Sequence, residues 1–348
     1  MELLNVFDYE AEAARLLEPG AHGYYAGGAG DEVTLRHNVA AYGRWLLRQR
    51  VLVDVDGCST ATTVLGQELA MPLAVAPVAF QRVAHPDGEV GMANAARAAG
   101  TAICLSTLST STPAEVAATG ALRWFQLYVF RDEGVTRDLV AQASDNGFSA
   151  LVLTVDTPVL GRRERDFRTG FTIPPEITVA ALGGGGVTPL EAFSLMSASI
   201  TWRDVERLAS ESELPVLVKG VLTAEDARLA CEHGAAGIVV SNHGGRQLDG
   251  VAATIDALPE VVEAVDGRVE VLVDGGIRRG ADVVKALALG ARAVLAGRPL
   301  LWGLVVDGEA GALRVLELLR DEIRLSLQLI GCASPADVTR AHVARRGQ

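Results

Sequence analysis

A histidine, two glycines, an arginine and a glutamine stand together in SNHGGRQLDG, residues 241–250, directly after the apolar run AAGIVV. Histidine suits proton transfer near neutral pH, and arginine suits a two-pronged grip on a carboxylate. The Gly-Gly between His243 and Arg246 lets the backbone turn sharply, so that both side chains can face one cavity. A second polar cluster, TVDTPVLGRRERD (154–166), also follows an apolar run. It offers Asp156 to orient an imidazole, and Arg162 and Arg163, one of which can add a second grip on a carboxylate. Both arginines can equally be solvated loop charges. Lys219 ends PVLVKG, and an ammonium at that depth must find an anion, because burial without one is costly or neutralises it. Two readings stand for it: a salt bridge to Asp274, or a fixed positive charge beside a cofactor that becomes anionic.

The elements that position these residues are legible as a repeat. Ala96 and Gly100, Ala143 and Gly147, Ala230 and Gly234, and Ala286 and Gly290 share the spacing Ala-x-x-x-Gly, each followed by an apolar run. That is a helix ended by glycine and a short connection into a strand. Strands are expected at 71–77, 101–106, 122–128, 150–156, 215–220, 236–241, 269–276 and 291–297. These runs are almost continuously hydrophobic, as parallel strands buried on both faces must be, and helical stretches separate them. Eight such units predict an α/β fold, a (β/α)8 TIM barrel, over residues 71–348, with helices at the C-terminal end. Residues 1–70 form an N-terminal extension of helices and a β-like segment, RVLVDVD, with the first helix ending at Pro19-Gly20. The long connection after 156 is rich in Gly, Pro, Thr and Ser, and predicts a mobile lid at about 165–200. The tract LGGGGVTP (182–189) follows no strand, which argues for a flexible loop and against a dinucleotide-binding turn.

Chemistry in such barrels sits at the C-terminal strand ends. The polar residues that interrupt the apolar runs there are Ser106, Gln126, Tyr128, Thr154, Asp156, Lys219, Ser241, His243, Arg246, Asp274, Arg278 and Arg298. Any one of them can be satisfying local backbone; their convergence on so many strand ends is what that reading explains poorly. DGGIRRG after the seventh strand and AGRP after the eighth fit a phosphate site built from close backbone N–H groups, so a phosphorylated ligand is expected.

Composition narrows the partners. A net charge of −12 across 348 residues, with no basic block, argues against nucleic acid. Cys58, Cys104, Cys231 and Cys332 are dispersed, without metal-ligand spacing, and read as reduced thiols. The N-terminal segment lacks a signal-peptide pattern, no run is long enough to span a membrane, and ARRGQ at the end matches no targeting tripeptide. The expected location is the cytoplasm.

Taken together, SNHGGRQLD, LTVDTP, GRRE, LVKGV, FQLY, APVAFQRVAHPDGE and DGGIRRGADVVKALALGA resemble the FMN-dependent L-2-hydroxy acid oxidases and dehydrogenases, the glycolate and lactate oxidase family. The resemblance extends from YYAGGAGDE to LIGCAS. It implies that His243 takes the proton from the substrate hydroxyl while Asp156 holds the imidazole. Arg163 and Arg246 would clamp the carboxylate with help from Tyr24, and Tyr128 would hydrogen-bond the hydroxyl or the developing ketone. Lys219 would stabilise reduced FMN. Ser106, Gln126, Thr154 and Ser241 would bond the isoalloxazine edge, and Ala76, Pro77, Val78 and Ala79 would lie against its face. Asp274, Gly275, Gly276, Arg278, Gly297 and Arg298 would hold the ribityl chain and phosphate. Electrons would pass to O2, giving H2O2 and a 2-oxo acid.

Leu108 stands where the plant glycolate oxidase pattern has a Trp, which implies a wider, aliphatic pocket for a lactate- or mandelate-like substrate. Ala79, where membrane-bound mandelate dehydrogenases tend to carry Gly, and the lack of a long hydrophobic insertion in 156–200 favour oxygen as acceptor. Alternatives are a dehydrogenase with a quinone or cytochrome acceptor, a lactate monooxygenase, a phosphosugar isomerase on the same fold, and a catalytically silent barrel. The family commonly forms tetramers, so a homotetramer is expected.

Overall fold

The computed structural model describes residues 2–183 and 186–347. Its N-terminal part comprises α1 (Val6–Leu16), α2 (Pro19–Ala26), α3 (Val33–Ala40), β1 (Trp45–Leu47) and the hairpin of β2 (Thr62–Val64) and β3 (Gln67–Leu69). Asn5 caps α1 by accepting from the N–H groups of Phe7 and Asp8. Pro19 opens α2 rather than only closing α1: it sits in the first turn, where its missing N–H costs nothing.

Eight parallel strands then close a barrel: β4 (Leu73–Val75), β5 (Ala102–Ser106), β6 (Leu122–Leu127), β7 (Leu151–Thr154), β8 (Val216–Val221), β9 (Gly237–Val240), β10 (Glu270–Asp274) and β11 (Ala293–Ala296). All eight lie within the spans expected from sequence, save that β8 runs one residue further, and β11 pairs with β4 to complete the circle. Outside run α4 (Gly88–Ala99), α5 (Pro113–Ala118), α6 (Glu133–Asp145), α7 (Glu164–Thr169), α8 (Pro189–Leu195), α9 (Trp202–Glu211), α10 (Ala224–Glu232), α11 (Thr254–Val265), α12 (Gly280–Ala288) and α13 (Arg298–Ile330). The helix α13 is broken at Asp307 and Gly308, whose backbones are not helical. Gly100, Gly147, Gly234 and Gly290 all have positive φ, as the Ala-x-x-x-Gly pattern requires.

The barrel interior shows how this sequence turns a core into a site. Alternate residues of each strand point inward. Ala74, Cys104, Trp124, Val152, Leu217, Val239, Leu272 and Leu295, one from each strand, belong to one apolar cluster, with Val64 and Leu69 of the hairpin packed into it. Two residues further along, the next inward positions are Ala76, Ser106, Gln126, Thr154, Lys219, Ser241, Asp274 and Gly297. Along six of the eight strands the step of two therefore exchanges an apolar inward residue for a polar one towards the C-terminal rim, while Ala76 and Gly297 leave the other two strand ends small. The register is staggered, as closure of a barrel requires: Ser106 is opposite Gln126 and Thr154 opposite Lys219, whereas Gln126 is opposite Val152, Lys219 opposite Val239 and Asp274 opposite Leu295.

The RVLVDVD segment is not a strand. Leu52 takes a left-handed conformation (φ 60°), and Val51, Leu52 and Val53 are exposed. The pairing lies upstream, where β1 meets β12 (Val343–Arg345) antiparallel, tying the two chain ends together. The N-terminal extension also presses on the strand ends. A Cβ at Gly276 (φ 83°) would lie 2.0 Å from the Asn38 carbonyl oxygen, and one at Gly245 (φ 76°) would lie 2.6 Å from the Leu35 nitrogen. Only glycine permits both contacts.

The 165–200 segment carries α7, a short 3-10 turn at Ala180–Leu182 and α8. It is hooked to the barrel rim by Ala180 N–H to Ser109 O (3.0 Å) and Ser197 N–H to Val129 O (2.8 Å). Within the tract 182–189, Gly184 and Gly185 lie outside the described residues. The four cysteines are free.

Candidate active site

A cleft, partly open to solvent, lies at the C-terminal mouth of the barrel. Nearly all the residues singled out from sequence line it: Tyr24, Ala76, Pro77, Val78, Ala79, Ser106, Leu108, Gln126, Tyr128, Thr154, Arg163, Lys219, His243, Arg246, Asp274, Gly275, Gly276, Arg278, Gly297 and Arg298. Asp156 and Ser241 stand one layer behind the wall, each bonded to a residue that reaches it.

His243 leaves β9 with a left-handed backbone (φ 58°), and its Nδ1 lies 2.8 Å from Asp156 Oδ1. An ionised carboxylate can only accept, so Nδ1 carries the proton and Nε2 keeps its lone pair for the cavity. Thr157 bonds the same carboxylate oxygen at 3.0 Å. Burial lowers the His243 pKa most, the Asp156 carboxylate opposes this, and Lys219 adds to the lowering; the net direction is down. Burial pushes Asp156 up, but its interaction with His243, the Lys219 charge and the Thr157 hydroxyl outweigh it and hold the carboxyl below its ordinary range. The pair is therefore a neutral imidazole held by an ionised carboxylate.

Lys219 satisfies both readings of its role. Its Nζ donates to Ser241 Oγ at 2.9 Å and lies 3.3 Å from Asp274 Oδ2, while the side chain borders the cleft. Burial disfavours the charge, but Asp274 and Asp156 more than compensate, so its pKa is raised and the ammonium persists. Ser241 Oγ also accepts from His243 N–H at 3.1 Å, joining the two groups through one hydroxyl.

On the outer side, Arg246 lies 5.0 Å over the Tyr24 ring, and its Nη1 donates to the carbonyls of Tyr24 and Gly27. Burial and then the Arg163 charge push its pKa down to about 10, still a cation at neutral pH. Of the arginine pair, Arg163 faces the cleft with its Nε unpartnered, whereas Arg162 lies 5.6 Å from the centre of the exposed Phe167 ring. Two guanidiniums thus flank the opening beside a neutral imidazole nitrogen, an arrangement chemically able to bind a carboxylate and to accept a proton from a neighbouring hydroxyl. Tyr128 is buried at the wall, and burial followed by the Asp156 charge lifts its phenol pKa to about 12, so it remains a donor.

The inner wall suits a planar group with both donors and acceptors. Gln126 Oε1 accepts from Ser106 Oγ and Thr107 N–H, both 3.2 Å, which fixes the amide and leaves Nε2 buried without a partner. Asp274 Oδ1 is likewise buried and unpartnered. A buried polar atom without a partner is costly, so these atoms point to a ligand that completes them. At the far end stand Gly275, Gly276, Arg278 and the first turn of α13 after Gly297, an anion-binding arrangement. A flavin edge against the first group and a phosphate against the second fit this set. Arg298 lines that end, but Nε, Nη1 and Nη2 donate to the carbonyls of Tyr25 (2.8 Å), Gly244 (2.9 Å) and Gly27 (2.9 Å), bracing α2 against the His243 loop.

Sequence reasoning passed over Tyr25, Leu160 and Phe193, which also line the cleft. Leu160 and Phe193 come from the long connection, whose apolar residues carry no periodic signal. Thr157 was in view within TVDTP, but nothing local marked its hydroxyl as a third partner for Asp156 and His243.

The chain belongs to the FMN-dependent dehydrogenase family, whose model matches residues 13–345. It is 51% identical to an L-lactate oxidase of Nostoc sp., covering 96% of each chain, and 50% identical to the glycolate oxidase of Spinacia oleracea, covering 99% of this chain and 96% of that one. A solved structure of mandelate oxidase with benzoyl-formic acid superposes with a TM-score of 0.92 at 44% identity over 99% of both chains. The fold is that of a (β/α)8 barrel flavoenzyme, and FMN is its cofactor.

Proposed function

We propose that this protein is an oxidase of L-2-hydroxy acids that converts R–CH(OH)–COO⁻ and O2 to R–CO–COO⁻ and H2O2, with medium aliphatic or aromatic R. The observation that carries this reading is the His243 Nε2, freed by the 2.8 Å bond from Nδ1 to Asp156, in a cleft that also presents Arg163 and Arg246. Bound FMN supplies the two-electron acceptor. Arg163 and Arg246 seat the substrate carboxylate, and Tyr128 donates to the hydroxyl oxygen. His243 Nε2 takes the hydroxyl proton, and Asp156 keeps the imidazole oriented and stabilises it once charged. Lys219 holds a permanent positive charge against the inner wall, where a developing negative charge is stabilised at little reorganisation cost. Gln126, Ser106, Thr154 and Ser241 would hold the ring edge, Ala76 to Ala79 its face, Asp274 the ribityl chain, and Arg278 with the α13 N-terminus the phosphate.

Substrate size is read from Leu108, Leu160 and Phe193, which give the opening an apolar side able to take a methyl or phenyl group. The relatives named for lactate and mandelate support the same range. We assign 165–200 as a lid, since α8 delivers Phe193 to the cleft. Homotetramer assembly is proposed from the resemblance to a family that commonly forms tetramers, and light scattering tests it. No described helix is long and apolar enough to cross a membrane. A cytoplasmic location is proposed, and fractionation checks it.

The deciding experiment is an anaerobic absorbance titration with L-lactate, L-mandelate and glycolate, followed by air and peroxide detection. Bleaching of the flavin band with rapid recovery and one peroxide per substrate is expected. Slow recovery would assign a dehydrogenase, and decarboxylated product without peroxide a monooxygenase.

A further inference from the structure

Arg278 and Arg298 meet at the phosphate end of the cleft but are held by different means. Arg298 is fixed by three backbone carbonyls. Arg278 donates Nη1 to the Ile277 carbonyl at 3.0 Å and Nε to Oε2 of Glu10 at 3.2 Å. Glu10 belongs to α1, at the opposite end of the sequence. Its side chain is 34% exposed, against 9% for Arg278. Two fixed nitrogens set the plane of a guanidinium, and a planar fork binds an oxyanion well only when its orientation is set in advance.

Charge supports the same placement. Burial, then the neighbouring Arg246 and Arg278, push Arg298 well below the ordinary guanidinium range, and Glu10 acts against that shift. One carboxylate therefore faces both cations at the end of the cleft.

We propose that Glu10 is a positioning residue for the cofactor phosphate: it fixes the Arg278 guanidinium and, through it, couples the N-terminal helix to FMN retention. The inference rests on the assignment of Arg278 to the FMN phosphate made above. Glu10 also repels a phosphate dianion, so its two effects oppose each other, and substitutions separate them. Glu10→Gln keeps an acceptor for Nε while removing the repulsion; Glu10→Ala frees the guanidinium.

The test dilutes the holoenzyme and follows released flavin by fluorescence, for protein carrying FMN and for protein exchanged with riboflavin, which lacks the phosphate. E10A should weaken FMN roughly tenfold, the scale of one charge-assisted hydrogen bond, and leave riboflavin unchanged. E10Q should hold FMN as tightly as the unmodified protein or more tightly. In an R278M background E10A should have no further effect. Equal weakening of FMN and riboflavin by E10A would show that Glu10 merely braces α1, and equal weakening by E10Q and E10A would exclude positioning by the hydrogen bond; either overturns the inference. If R278M weakens FMN selectively while E10A does not, Glu10 is excluded and Arg278 keeps its role. If R278M leaves the ratio of FMN to riboflavin affinity unchanged, the assignment of Arg278 falls, and the inference with it.

Discussion

His243 works as a base only when neutral, and the structure makes it so by opposing forces that can be separated. Burial lowers its pKa, and Asp156 partly restores it. The acid limb of kcat/KM should therefore inflect below the ordinary imidazole value of about 6.5, with activity rising as pH increases through it. Asp156→Asn removes the carboxylate that raises this pKa, so the limb should move to still lower pH while the plateau drops, because the ring loses its anchor. A limb that moves upward in a pH-rate profile would contradict the assignment. His243→Gln should keep FMN, visible in the absorbance spectrum, and lose turnover by roughly 10²- to 10⁴-fold. Normal turnover in that variant would remove His243 from the chemistry.

The pieces that carry these residues were unequally legible. Strand positions were readable because a strand buried on both faces must be apolar throughout, and the break in that run marks the rim where Gln126, Lys219 and Asp274 stand. The helix ends were readable because left-handed backbone favours glycine. RVLVDVD misled because β-branched residues state a preference but name no partner edge, and the chain instead spends Trp45–Leu47 on the distant Val343–Arg345. Glu10 and Arg278 could not be paired from sequence, since nothing local links the start of the chain to the seventh strand end. The same limit hid Glu89, on α4. It is fully buried and accepts from the N–H groups of Gln81 (3.1 Å) and Thr110 (2.9 Å) and from the hydroxyls of Thr110 and Ser111. One carboxylate thus clamps the loop after β4 to the loop after β5, and the second loop carries Leu108. Glu89→Leu leaves several buried donors unpaired, each costing about 1–3 kcal/mol, so denaturant unfolding should show a loss of about 3 kcal/mol or more. Glu89→Gln should lose about 1 kcal/mol, and equal losses would mean that the charge, not the hydrogen bonding, matters. Leu108→Trp fills the apolar side of the opening. The kcat/KM ratio of mandelate to glycolate should fall roughly tenfold or more, the scale of discrimination by pocket volume. An unchanged ratio would place the substrate side chain elsewhere.

At the scale of the whole molecule, cofactor and fold are thermodynamically linked. The cleft gathers Arg163, Arg246, Arg278 and Arg298 in a chain of net charge −12, and leaves Gln126 Nε2 and Asp274 Oδ1 buried without partners. An empty cleft therefore carries both cation repulsion and unmet hydrogen bonds, and a phosphorylated flavin relieves both. The unfolded chain presents no such constellation, so FMN binds the native state almost alone. At a hundredfold excess over Kd this adds about 2.7 kcal/mol to the unfolding free energy. For a chain of this length that is a rise of about 4 °C in Tm. Scanning calorimetry of the flavin-stripped protein with and without added FMN should show it, riboflavin should give a smaller rise because it leaves Arg278 unneutralised, and a 2-hydroxy acid without flavin should give little. A rise with riboflavin equal to that with FMN would mean that the ring, and not the phosphate, holds the barrel mouth together, and the buried Arg278 would then need another anion to explain its place at the end of the cleft.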